Sequence, residues 1–434
     1  MAAEAGINGI VHYFQPRYSG TIGSKTVVSA SILDLIDQGA PAEIDFSALN
    51  VFLRTGFYIG ASTAFRHIRA MEPPDPSSLG VTPTDLDRKA IMDAYIDLFR
   101  RAVQRQIRQY GSQRVCMGLS GGRDSRHILL ELCRVGAKPD LCWTVDLPNA
   151  PSEFIAAEAV ALRAGVRHKR LPPAESVRSE CYKNQATSFE SIEHAWITGA
   201  IPVIQSHQVI YDGMAGDVLS AGHFLTEEGV RLVHQGRIDE LIEKMFVRGG
   251  RVPLVQDQNL FPVQDALEQV AVEFRRHLTM PNPIGSFYLW NRTRRTIGAS
   301  AFGLLCPGGQ HVGVPYLDID LFRFLSGIPD SATVDHELHT TTIRRAFPEF
   351  ADIPYAHKIR VPSSLHIRKL AVDTAFYLLR SRALLDKSGA VVRLLRSLVS
   401  PARVEDVGWL HTFSIYLTQV GLASTGHLRE ATLV

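Results

Sequence analysis

The chain has little that would mark a metal, disulfide, membrane or nucleic-acid protein. Its five cysteines (Cys116, Cys133, Cys142, Cys181, Cys306) form no CxxC pair and keep no regular spacing. That usage suits small buried hydrophobes in a reducing compartment, so the cytoplasm is the expected location. Sixteen histidines yield no HExxH, and "HELH" at 336–339 spaces its histidines wrongly for one helical face, so no zinc site is expected. No run approaches about 18 uninterrupted apolar residues, and the N-terminus carries no basic segment followed by an apolar core, so neither a membrane span nor a secretory signal is expected. Lys and Arg number 46 against 44 Asp and Glu, a net charge of +2, which points to neither nucleic acid nor a strongly acidic partner. At 434 residues the chain can bury a large core and exceeds the usual single-domain size.

Two phosphate-binding signatures are missing as well. No lysine follows the glycines in the way GxxxxGK[ST] requires, and GxGxxG is absent. What is present instead is "VCMGLSGGRDSRHILLELC" (115–133): a short apolar strand, a Ser-Gly-Gly turn, and a helix with Ile128, Leu129, Leu132 and Val135 on one face before Gly136. Backbone N–H groups at such a strand-to-helix turn suit phosphate, with Gly121 and Gly122 supplying freedom and Ser120 and Ser125 hydroxyls. Asp124 would repel a phosphate unless a cation stood between them; Mg2+, which prefers one or two carboxylates plus phosphate oxygens, resolves the conflict.

Around this stretch the alternation continues. "EPPDPSSLGVTPTD" (72–85) reads as a turn-rich linker that separates a short N-terminal region, 1–85, from a main body, 86–434. A helix ending near Gly111 precedes the strand, "DLCWTV" (140–145) is a second strand and "SEFIAAEAVALRAG" (152–165) a second helix. "HQVIYDGMAGD" (207–217) is a third strand entering a glycine-bearing turn, and the rest from about 227 reads as mostly helical. The predicted class is α/β, a parallel sheet flanked by helices. The basic stretch at 378–398 reads as an amphipathic helix with a solvated face.

"SGGRDS" (120–125) matches the SGGxDS loop of the ATP pyrophosphatase superfamily. "VIYDGMAGDVLSAGH" (209–223) resembles the VLSGEGSDELFGGY segment of the asparagine synthetase family, whose relatives include beta-lactam synthetases and lasso peptide cyclases. "VPYLDIDLFRFLSGIP" (314–329) and "IPYAHK" (353–358) resemble two further segments of its synthetase half, and 48–74 the stretch that joins its two halves. The resemblance implies an adenine nucleotide alpha hydrolase-like, Rossmann-like fold with a mostly helical C-terminal part and a reduced N-terminal region. It implies ATP and Mg2+, with Asp124 and Asp217 as metal carboxylates and Leu119, Ser120, Gly121, Gly122, Arg123, Asp124, Ser125, Val145 and Gly213 against the nucleotide. Lys358 is the pyrophosphate-contacting lysine by position.

The implied chemistry is adenylation of a carboxylate with release of pyrophosphate, then transfer to ammonia or a substrate amine. The alternatives are an intramolecular lactam-forming cyclase of the same family and a non-catalytic nucleotide-binding homologue. The implied partners are small-molecule or peptide carboxylates and amines, with a homo-oligomer or protein partner left open and no nucleic acid or membrane. Each residue keeps a simpler reading: Asp217 as the cap of a glycine turn, Lys358 as a surface lysine, Glu153 as a carboxylate at a helix N-terminus, Arg123 facing solvent or substrate, Asp318 organising a turn. Three departures narrow the activity. Ala2 and the lack of any cysteine before Cys116 remove the glutaminase nucleophile; Met214 stands where asparagine synthetases carry a glutamate; Val218 replaces the second acid of an Asp-Glu pair. A thioether neither gives nor takes a proton usefully, so the amine step lacks an evident base in the sequence.

Overall fold

A computed structural model describes residues 10–111, 113–147, 150–252, 254–359, 367–380, 385–397 and 404–428. Two sheets organise it. The first is antiparallel, order β2-β1-β3, made of β1 (Tyr18–Ile22), β2 (Lys25–Ser29) and β3 (Ile68–Ala70). The second is parallel throughout, order β6-β5-β4-β7-β8: β4 (Val115–Gly118), β5 (Leu141–Val145), β6 (His168–Leu171), β7 (Val209–Tyr211) and β8 (His311–Gly313). The expected α/β class, with a parallel sheet flanked by helices and a helical C-terminal part, is present.

The chain winds outward from β4 through β5 to β6, then returns to the other side of β4 for β7 and β8. The reversal falls between β4 and β7, and loops leaving neighbouring strands in opposite directions there open a crevice beyond the strands' C-terminal ends. β4 is short and apolar because both faces are covered; Cys116 and Met117 are fully buried among Leu129, Leu132, Trp143 and Tyr95. Cys142, Cys181 and Cys306 are also buried and Cys133 half-buried, all free thiols. Burial pushes the Cys116 thiol up to about 12, which leaves it unreactive.

Helix boundaries follow the chain's capping residues. Asp87 accepts from the Ala90 N–H to start Arg88–Tyr110, and Gly165, at φ +63°, ends Pro151–Ala164. Asp318 caps Ile319–Ser326 and pairs with Arg105, consistent with its turn-organising reading. The linker at 72–85 holds one turn of 3-10 helix, Pro76–Leu79, and no other regular structure. β8 lies inside the part read as mostly helical: "HVG" is too short to show alternation, and only its pairing to β7 identifies it.

The N-terminal region does not end its packing at the linker. Leu49, Phe52, Tyr58 and Phe65 share one apolar cluster with Leu378, Leu410, Tyr416 and Val420 from helices near the other end of the chain. Phe52 stacks between Tyr58 and Tyr416, whose hydroxyls bond each other at 2.7 Å. Residues 381–384 and 398, within the basic stretch, lie outside the described residues; Leu394 of that stretch is buried, while Leu379, Val392 and Leu395 are exposed. No described helix is long and apolar enough to cross a membrane.

Candidate active site

Gly118 ends β4 where a side chain would press on Trp143, and the loop 119–123 then carries the chain into the helix Asp124–Arg134. The loop is shaped by its own small residues. Ser120 N–H donates to Ser125 Oγ at 3.0 Å, Gly122 N–H to Ser120 Oγ at 3.2 Å, and Gly121 N–H to Glu153 Oε2 at 2.7 Å. Glu153 therefore does more than favour a helix dipole. Arg123, at the cap position of the following helix, supplies no side-chain cap, so its first turn remains without one.

Asp124 opens that helix. Its Oδ1 is buried, makes no hydrogen bond, and stands 3.3 Å from Nδ1 of the buried His339. His339 Nε2 in turn lies 3.2 Å from the Tyr316 hydroxyl and 3.3 Å from His127 Nδ1. From the other side the turn after β7 closes over Asp124. A methyl group at Gly216 would sit 2.6 Å from Asp124 Oδ1, and one at Gly213 2.8 Å from its Cβ. Ala215 between them is held at φ +72°, a left-handed conformation that a non-glycine residue adopts at a cost.

This turn brings two further carboxylates to the crevice. Asp217, in the first turn of Gly216–Ser220, accepts from the Val218 N–H at 2.8 Å; burial first, and the Asp124 charge second, push its carboxyl up to about 7. Asp212 accepts from the Met214 N–H at 2.8 Å; burial, opposed by that bond and reinforced by Asp124, pushes it up to about 6. Acids crowded and desolvated in this way resist ionising together, and a divalent cation removes the conflict. Arg292, whose guanidinium lowers the Asp217 carboxyl somewhat against these effects, is committed to Glu193 at 2.7 Å.

Beyond these acids lies a cavity of about 590 Å³, lined among others by Leu119, Ser120, Asp124, Ser125, Val145, Gly213, Met214 and Asp217. One wall is a helix wound in the wide π form over Leu289–Ile297 and Ala299–Leu304, a form that recurs at functional sites. It presents Thr293, Ile297, Ser300 and Ala301 to the cavity, while Arg295 on its far side is bonded to Glu190 through two nitrogens.

Of the residues read from sequence, Gly121, Gly122, Arg123 and Lys358 do not line this cavity. Gly121 instead seats the lysine's segment: Ala356 N–H donates to Gly121 O at 3.0 Å, and a side chain at Gly121 would lie 2.6 Å from Ala356 Cβ. Lys358 ends that 3-10 turn with its side chain exposed, beside the residues 360–366 that lie outside the described part. Arg123 Nε donates to Thr340 Oγ1 at 2.6 Å, so it faces a neighbouring helix rather than open solvent.

Sequence reasoning did not single out Asp212, Gly216, Arg126 or His339. Asp212 carried a legible signal, an acid at the C-terminal end of a buried strand. Arg126 carried none, since its partners are the Ile353 and Pro354 carbonyls, both at 2.9 Å, and the Tyr355 ring, 4.0 Å away. No protein-family model matches this chain, and no curated protein matches it. Ala2 and the pair 148–149 lie outside the described residues.

Proposed function

We propose that the protein is an ATP- and Mg2+-dependent ligase that forms amide bonds through an acyl adenylate and takes its nitrogen from ammonia or a substrate amine. The observation that carries this reading is the meeting of Asp124 and Asp217 from adjacent strand ends at the head of one cavity, with Asp124 Oδ1 buried and unbonded. Such a donor set, two carboxylates with room for phosphate oxygens and water, fits Mg2+. The strand order and the SGGRDS turn at β4 support a Rossmann-like nucleotide-binding sheet of the adenine nucleotide alpha hydrolase kind.

In the first step an oxygen of the substrate carboxylate bonds to the ATP α-phosphorus, the bond to the β-phosphate oxygen breaks, and pyrophosphate leaves. Asp124 and Asp217 would hold Mg2+, which supplies charge neutralisation on the phosphates when bound. Loop N–H groups from Gly121 to Ser125 orient the departing pyrophosphate, and Gly121 N–H exchanges its Glu153 partner for a phosphate oxygen. Lys358, carried on the segment docked to Gly121, supplies a cation from the solvent side. In the second step the amine nitrogen bonds to the acyl carbon and AMP departs. The amine's proton goes to Asp212, the one acid on the cavity wall committed neither to metal nor to the loop, and at about 6 it is mostly ionised at neutral pH.

Exchange of labelled pyrophosphate into ATP, dependent on Mg2+ and on a carboxylic acid, tests the first step. It should disappear in Asp124→Ala, whereas Asp212→Asn should keep exchange and lose amide formation. ATP binding with no AMP produced from any acid and amine would replace the ligase by a non-catalytic nucleotide-binding protein.

A further inference from the structure

The sheet order divides the cavity. The β5 side, with Trp143, Val145 and Leu147, lies to one flank of the loop after β4, and the β7 side to the other. On the β7 side the walls are Ile210, Met214, Ile297, Ala301 and Leu305. Their polar complement is small and neutral. Ser300 spends its hydroxyl on the Thr296 carbonyl at 2.9 Å, and Thr293 Oγ1 is buried without a partner.

The charged residues that line the cavity are Asp124, Glu153, Asp212 and Asp217, and no lysine or arginine does so among the described residues. The arginines of the adjoining helix are engaged elsewhere: Arg292 with Glu193, Arg294 with the Gly60 and Met71 carbonyls, Arg295 with Glu190. His194 also lines the cavity, and burial lowers its pKa, which keeps the imidazole neutral at physiological pH.

We propose that the acid activated here has an apolar body and carries no carboxylate beyond the reacting one, an inference that rests on the ligase reading above. Mg2+ held by Asp124 and Asp217 would supply positive charge for the reacting carboxylate. A second carboxylate, such as the one that aspartate would bring, would be buried against Asp212 with no cation to meet it, and burial of an unpaired charge is strongly unfavourable. The apolar wall instead gains from each methylene or ring carbon it covers. Thr293 Oγ1 can meet a neutral hydroxyl or carbonyl but compensates no charge.

Paired acids separate the possibilities in the pyrophosphate exchange assay with the unaltered protein and Mg2+. 4-Methylpentanoate, 3-phenylpropanoate, leucine and phenylalanine should support exchange at least about tenfold faster than aspartate or glutamate. Faster exchange with aspartate or glutamate overturns the inference and leaves the ligase reading standing; no exchange with any acid overturns both. Ala301→Phe, which fills the β7-side wall, should lower kcat/KM for 3-phenylpropanoate by about tenfold or more while the ATP dissociation constant holds. Unaltered kcat/KM in that variant also overturns the assignment, because the acid would then lie elsewhere.

Discussion

Asp217 couples the stability of the fold to its own protonation. Its carboxyl is raised by burial and by Asp124, so the folded state holds its proton more tightly than the unfolded chain does. Between the ordinary carboxylate pKa of about 4 and the raised value of about 7, the unfolded state binds fewer protons, and metal-free stability falls as pH rises through that window. Asp217→Asn should therefore raise the melting temperature of the metal-free protein at pH 8, change it little at pH 4, and flatten the curve between. Mg2+ should stabilise the unaltered protein at pH 8 and leave the variant nearly unaffected. Thermal melts at the two pH values, with and without Mg2+, check all of this. Asp124 was legible in sequence as an acid inside a Ser-Gly-Gly turn, and Asp217 only through the resemblance of 209–223 to a family segment; both line the same cavity. Gly216 was not legible, because the need for a missing side chain there comes from Asp124, 92 positions earlier in the chain.

At the scale of elements, the loop 119–123 and the turn Ala356–Lys358 behave as one assembly. Gly121 provides the seat, and Arg126, almost fully buried, holds the segment entering that turn through two carbonyls and a ring. Arg126→Met keeps much of the apolar stem and removes both charge-assisted bonds, which should cost about 2–4 kcal/mol. Trypsin should then cut after Lys358 faster than in the unaltered protein, and pyrophosphate exchange should weaken through a raised KM for ATP; unchanged cleavage would show that Arg126 does not hold the segment. The strands β4, β5 and β7 and the helices Asp124–Arg134 and Pro151–Ala164 were readable from periodicity and glycine caps, whereas β6 and the helices that follow it before β7 were not. β8 was not, since three residues carry no period, and neither was the π winding of 289–304, which depends on tertiary fit: Gly298 passes so close to the Phe14 carbonyl that a methyl would lie 2.4 Å from it.

Across the whole molecule, the boundary near residue 85 is plain in composition yet crossed by packing. The linker's prolines announce a break in secondary structure, whereas Tyr416, which stacks on Phe52 and bonds the Tyr58 hydroxyl, lies more than 300 residues onward, beyond any local pattern. Phe52→Ala should destabilise the protein by about 3–5 kcal/mol, as loss of a buried ring does. Hydrogen exchange should then accelerate in 46–70 and in 404–424 together; acceleration confined to one of them would mean that the two stretches do not share a cooperative core.

That shared cluster also sets a clock on synthesis. Residues 46–70 leave the ribosome long before the helices Ile367–Arg380 and Val404–Ser424 that cover them. At about 5–20 residues per second, the interval is roughly 15 to 70 seconds. Through that time the face of Phe52 that Tyr416 covers and the Tyr58 hydroxyl wait for their partner, so this cluster closes fully only after the helix Val404–Ser424 has been made.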